Sequence, residues 1–335
     1  MIVLGQIGIG AWGRNLLRNF AALSDCAVKT ACDKSRAVLE AVKAEYKSEI
    51  GCVEDPADIF ADDEIEGVVI ATLPNTHAQL AIKAMESGKH VFVEKPLAMS
   101  AKEGLEIKKA AEKYKKICMV GHILLYHPAL VALKKYIGEG SLGHIYYIYS
   151  TRVNLGKVRN EENALWSLTS HDISAIMHLI GAFPQHVATS GSSYLRKDIA
   201  DVVFVDLGFK NDVIAHIHAS WLDPHKIRQL TVVGSKKMAV FDDMSAEKLR
   251  IYDKGVDQTA GQGSYETFLT LRSGDIFAPK IDTAEPLRIE CQEFVDCIEQ
   301  GRIPLADVDN GIEVLRVLEA AQESLDGGGA KVHVR

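Results

Sequence analysis

The sequence predicts an α/β protein in two parts. Residues 1–121 read as a doubly wound parallel sheet. Residues 122–335 read as an α+β domain with a large, open, mainly antiparallel sheet. Three observations carry this. Unbroken apolar runs alternate with helix patterns through the first third, as strands covered on both faces do. Beyond Gly121 the apolar runs come in pairs joined by short polar turns, the pattern of hairpins. The 335 residues, 47% hydrophobic and 25% charged, are enough for two domains with their own cores.

The elements follow in order. Strands are expected at 2–7, 27–31, 67–72, 90–93 and 117–120. A helix pattern at 15–23 follows the first strand. Thr76 followed by Gln79 reads as a capping box, with Gly88 ending that helix. Ser100 followed by Glu103 reads as a second box, opening a helix to about residue 116. After Gly121, a helix at 128–137 leads through Gly138, Gly140 and Gly143 into HIYYIYSTRV, a strand rich in aromatic and β-branched residues. A helix at 170–180 precedes two hairpins. One pairs DVVFVDLGF with VIAHIHASW, the other QLTVVG with MAVFDD. Helices at 287–300 and 308–325 follow, and Leu287, Cys291, Phe294 and Ile298 share one face of the first.

Charge and cysteine usage narrow the function. The net charge of −7 speaks against a general nucleic-acid binder. No run reaches the roughly 18 apolar residues of a membrane helix. The opening MIVLGQIGIGAWG has neither a basic region nor a cleavage site, so no secretory signal is expected and the location expected is cytoplasmic. Six cysteines form no CxxC pair, so no structural metal or disulfide framework is expected.

Gly8-Ile9-Gly10-Ala11-Trp12-Gly13 matches G-x-G-x-x-G between a strand and a helix. Glycines there allow a tight turn and let backbone amides approach a pyrophosphate at the helix N-terminus, as in a Rossmann dinucleotide site. Asp33, twenty residues past Gly13, ends the second strand where an acidic residue binds the adenosine ribose. A carboxylate there favours NAD. Lys34, Ser35 and Arg36 beside it leave NADP as the alternative. Val91-Phe92-Val93-Glu94-Lys95-Pro96 then brings a lysine to the carboxyl end of a buried-type strand, where ligands of doubly wound sheets bind. An ion pair between Glu94 and Lys95 is the structural alternative.

Together with Ala71-Thr72-Leu73-Pro74-Asn75-Thr76-His77 and the C-terminal EPLRIECQEFVDCIEQGRIPLADVDNGIEVLRVLEAA, these motifs resemble the Gfo/Idh/MocA family of sugar and cyclitol oxidoreductases. The resemblance spans nearly the whole chain. It implies that Lys95 lies beside the nicotinamide and the reacting hydroxyl. Thr72, Leu73, Pro74, Asn75, His77, Glu94 and His122 would border the cofactor with the glycine loop, Asp33 and Lys34. His171 matches the family's catalytic histidine. Ser167 stands where many members have aspartate, which removes a carboxylate partner for His171 and weighs against inositol dehydrogenase.

These residues suit alcohol oxidation by hydride transfer. An imidazole of near-neutral pKa accepts the hydroxyl proton, and a lysine ammonium stabilises charge on the oxygen. His171 is the expected base and Lys95 its electrostatic partner, with the exchanged roles left open. The sugar is expected over the nicotinamide between them. Segments 121–128, 150–159, 163–166 and 221–226 are similar to those of UDP-N-acetylglucosamine 3-dehydrogenases. Tyr126, Arg152, Asn154, Arg159 and Trp166 are therefore expected to bind a UDP-sugar. Arg152, Lys157 and Arg159 could grip its diphosphate. A uronate-specific 3-dehydrogenase, another sugar or cyclitol dehydrogenase, and a non-enzymatic dinucleotide-binding regulator are the alternatives. A 3-keto product would feed a downstream aminotransferase. The sheet face carrying His216 and His218 has no helix to cover it, so a homodimer or homotetramer is expected.

Overall fold

Six strands, all parallel, build the sheet of the first unit in a computed structural model that describes residues 1–156, 158, 162–260 and 267–335. That unit comprises Met1–Tyr126 and Ala284–Arg316. Its elements are β1 (Ile2–Ile7), α1 (Gly13–Ala21), β2 (Cys26–Cys32), α2 (Arg36–Glu45), β3 (Gly51–Val53), α3 (Pro56–Phe60), β4 (Gly67–Ile70), α4 (His77–Glu86), β5 (His90–Glu94), α5 (Ala101–Tyr114) and β6 (Cys118–Gly121). The order β3-β2-β1-β4-β5-β6 reverses direction between β1 and β4, so a crevice opens at their carboxyl ends. Phe20, Phe92 and Phe294 meet edge to face at 5.8–6.2 Å in the core.

Ser100 caps α5 as expected, accepting from the Glu103 amide at 3.2 Å. The box expected at Thr76 does not form. Residues 74–76 make a 3₁₀ turn, so Thr76 already has near-helical backbone and its hydroxyl turns back to the Leu73 carbonyl at 2.8 Å. Gly88 follows α4 with φ +80°.

The second unit comprises His127–Thr283 and Val317–Arg335. It contains α6 (Pro128–Gly138), β7 (Ile145–Val153), a π-helical turn (Leu165–Thr169), α7 (Ser170–Ile180), β8 (His186–Ser192), β9 (Val202–Gly208), β10 (Ile214–Ser220), β11 (Ile227–Gly234), β12 (Met238–Asp242), β13 (Leu249–Ala260) and β14 (Thr267–Phe277). Beyond these come α8 (Pro286–Gln300), α9 (Val308–Asp326) and β15 (Val332–His333). The nine-stranded sheet runs β14-β13-β12-β11-β7-β10-β9-β8-β15. Every pair is antiparallel except β7 with β10. Alternation sorts its faces: Ile148, Val203, Val205, Ala215 and Ile217 are buried, while Tyr147, Tyr149, Phe204 and Ile214 are exposed.

Residues 284–316 depart from the expected division at 121, because they return to the first unit. Leu287, Cys291, Phe294 and Val295 of α8 belong to its core. An amphipathic helix pattern shows that one face is buried, not against which sheet. All six cysteines are free, and burial pushes Cys26, Cys32 and Cys118 up to about 12. Among the described residues no helix is long and apolar enough to cross a membrane.

Candidate active site

The glycine loop leaves β1 at the reversal of strand order. Gly8 has φ +91°, and a Cβ there would lie 2.6 Å from the Ala71 carbonyl oxygen at the end of β4. A Cβ on Gly13 would lie 2.2 Å from the Gly8 carbonyl oxygen. Gly10 is exposed and faces open space, so the loop is closed on its protein side and clear where a ligand would approach. Asp33 accepts from the Ile9 amide at 2.8 Å and the Ser35 amide at 2.9 Å. With the free amides at the start of α1, these residues fit a dinucleotide: amides for the pyrophosphate, a carboxylate for a ribose hydroxyl. Lys34 is exposed, and Arg36 is turned to Glu54 at 2.6 Å. Gln6 is a partner that spacing did not reveal. Its fully buried amide donates to the carbonyls of Gly8 at 3.1 Å and Gly13 at 2.7 Å, closing the loop from beneath.

Lys95 stands half-buried just past β5. The buried His77 ring reaches the Pro96 carbonyl at 2.8 Å and the Thr72 carbonyl at 3.2 Å, tying the 72–77 turn to the lysine turn. Leu73 and Asn75 are exposed on that turn. Glu94 is buried. Trp12 Nε1 donates to its Oε1 at 2.5 Å and the Lys95 amide to its Oε2 at 3.1 Å. Burial raises the Glu94 carboxyl to about 7, against the pull of Trp12 and Lys95. His122 is buried with Nδ1 2.7 Å from Asn310 Oδ1, and burial lowers it to about 4. Asn310, just inside α9, is another residue the sequence reading missed. Tyr126 stands apart from the expectation of a substrate contact. It is a core residue whose hydroxyl accepts from the Ala306 amide at 3.1 Å.

In the second unit His171 lies in the first turn of α7, directly after the π-helical turn. Such turns are frequent at functional sites. Trp166 Nε1 donates to Gln322 Oε1 at 3.2 Å, and Asn163 donates to the same oxygen at 2.9 Å. Asn154, past β7, packs its amide against Gly156. Arg152 is not the free cation expected for a diphosphate. Its guanidinium is committed to Asp172, through Nε to Oδ2 and through Nη2 to Oδ1 at 3.3 Å, and Ser150 Oγ donates to Asp172 at 2.5 Å. Both partners are largely buried, and a charged pair on one buried face satisfies itself before any ligand arrives. Lys157 and Arg159 lie outside the described residues.

Comparison with known proteins bears on both units. Residues 2–122 match the Gfo/Idh/MocA oxidoreductase family model for the NAD-binding Rossmann fold, and residues 134–334 match that for the family's C-terminal α/β domain. The chain is 26% identical over 319 residues to UDP-N-acetylglucosamine 3-dehydrogenase of Acidithiobacillus ferrooxidans, covering 95% of this chain and 94% of that one. It is 29% identical over 293 residues to scyllo-inositol 2-dehydrogenase (NAD(+)) of Bacillus subtilis, covering 82% and 80%. The solved structure of the Acidithiobacillus ferrooxidans enzyme superposes with a TM-score of 0.83 at 22% identity, covering 98% of each chain.

Proposed function

The chain belongs to the Gfo/Idh/MocA oxidoreductase family, and from that premise we propose that it oxidises the C3 hydroxyl of a UDP-N-acetylhexosamine to a 3-keto sugar. The observation that carries this reading is the likeness to a UDP-N-acetylglucosamine 3-dehydrogenase over 95% of the chain. NAD, when bound, supplies the hydride acceptor. The glycine loop and Asp33 hold it, and the 72–77 turn borders it. Lys95, directly past β5, orients the hydroxyl oxygen and stabilises the charge that grows on it. His171 takes the hydroxyl proton. Asp172 and Arg152 fix the helix turn that presents His171. A second copy of the chain covers the exposed aromatic face of Tyr147, Tyr149 and Phe204.

A cyclitol substrate is the second reading, supported by 29% identity to the scyllo-inositol enzyme. Ser167 in the place of the family's aspartate weighs against it. The deciding experiment incubates the purified protein with NAD⁺ and UDP-N-acetylglucosamine, with an aminotransferase added to draw off the keto product. Growth of the reduced-nicotinamide absorbance is expected. Turnover of inositol or free sugars, with none of any UDP-N-acetylhexosamine, overturns the reading. Lys95→Ala and His171→Ala should each keep NAD binding and lose turnover.

A further inference from the structure

One carboxylate in the first unit receives donors from two distant parts of the chain. Trp12, in the glycine loop, donates its indole N–H to Glu94 Oε1 at 2.5 Å, and the backbone of Lys95 donates to Glu94 Oε2 at 3.1 Å. The space around that carboxylate is closed. A Cβ on Gly121 of β6 would stand 3.0 Å from Glu94 Cδ and Oε2, so residue 121 has no room for a side chain without moving it. We infer that Glu94 is a positioning residue that fastens the cofactor loop to the lysine turn, so that Trp12 and Lys95 are held by the two oxygens of a single carboxylate. The inference rests on the reading of Lys95 as the group that touches the hydroxyl. Its consequence is coupling: what seats the glycine loop also seats Lys95.

The surrounding groups define when the fastening holds. Lys95 is the cation facing Glu94. From α8, Glu290 and Cys291 face it as well, and burial followed by the Glu94 charge holds the Glu290 carboxyl well above the usual carboxylate range. Neither Glu290 oxygen meets a donor among the described residues, as suits a neutral acid in a closed core. His77 and His122, which face Lys95, are both lowered by burial and stay neutral near pH 7. Among the carboxyls and imidazoles named here, Glu94 is the one raised to about 7. Above that pH its carboxylate accepts both N–H groups at full strength. Below it, protonation weakens the grip on Trp12.

The test begins with the NAD-free protein. Indole fluorescence followed from pH 5.5 to 8.5 should titrate near 7, and the transition should vanish in Trp12→Phe and in Glu94→Gln. NAD affinity, by calorimetry, should weaken as pH falls through the same midpoint. In Trp12→Phe the affinity should lose this pH dependence, because no indole N–H remains for protonation of Glu94 to release. Glu290→Gln should leave the midpoint in place. At saturating NAD, Trp12→Phe and Glu94→Gln should each lower kcat about tenfold or more, the scale of one hydrogen bond to a charged group. The double variant should be no worse than the poorer single one. A flat fluorescence profile in the parent protein, or losses that multiply in the double variant, overturns the inference. If Glu94→Gln fails to fold, the parent and Trp12→Phe titrations still decide it. If no sugar nucleotide is turned over, the fluorescence and affinity profiles still do, so failure of the substrate reading is seen separately.

Discussion

Replacing Arg152 by methionine separates two roles for the same side chain. If Arg152 serves the fold, as its pairing with Asp172 indicates, the substitution strands a carboxylate whose side chain is 4% exposed. Ser150 Oγ would be its remaining side-chain donor among the described residues. Arg152 itself is only 12% exposed, so solvent screens the pair little. Removing one partner of a buried ion pair costs about 3–5 kcal/mol. For a unit of this size, each kcal/mol lowers the melting temperature by about 2–4 °C, so the expected fall is roughly 6–20 °C. Differential scanning calorimetry reads it directly. The double variant Arg152→Met with Asp172→Asn orphans no charge and should recover more than half of the loss. Because Asp172 follows His171 on α7, kcat should fall in the single variant and return partly in the double. Refutation has a clear form: Arg152→Met melting with the parent while KM for the sugar nucleotide rises. The guanidinium would then serve a ligand, not Asp172.

Three further outcomes follow from the geometry. Gly13→Ala should abolish measurable NAD binding by calorimetry while far-ultraviolet circular dichroism stays unchanged, because its Cβ would meet the Gly8 carbonyl oxygen at 2.2 Å. Asp243, held down to about 2 by His127 first and Arg228 second, contributes about 2 kcal/mol above its ordinary pKa of 3.8, and this is lost as pH falls through 2. Asp243→Asn should therefore lower stability at pH 6 and barely change it at pH 2, as urea titrations at the two pH values would show. Phe294→Ala, at the centre of the aromatic triad, should cost about 3–5 kcal/mol in denaturant unfolding without altering the pH profile of the sugar reaction.

The cofactor half was legible because its chemistry is local in sequence. A glycine loop, a strand end twenty residues later and a charged strand end each announce themselves within a few residues. Gly8 and Gly13 lie just past β1, beside the reversal of strand order, and Asp33 just past β2 accepts from the Ile9 amide. The second unit was legible as hairpins but not in extent. β8, β13 and β14 escaped notice because their exposed positions break the apolar alternation on which strand reading depends: Ser190 and Ser192 in one, Lys254, Asp257 and Thr270 in the others. Thr76 carried the letters of a capping box, but the proline two residues earlier had already started a 3₁₀ turn.

What stayed hidden shares one physical cause. Gln6 meets Gly13, Arg152 meets Asp172, His122 meets Asn310 and Trp166 meets Gln322, across separations of 7, 20, 188 and 156 residues. A buried polar group must find a partner, but no periodicity says which one, since the fold alone brings the two together. The same rule explains how a cation can mislead. Arg152 in a basic run reads as a diphosphate ligand until the sheet turns it inward and α7 supplies a carboxylate. Glu94 shows the converse. Beside Lys95 in sequence it reads as half of an ion pair, yet its side chain also takes the indole of Trp12 from 82 residues away and the backbone amide of its neighbour. A charge therefore acquires its role only after burial, and the residues that most repay mutation are those whose partner lies far along the chain.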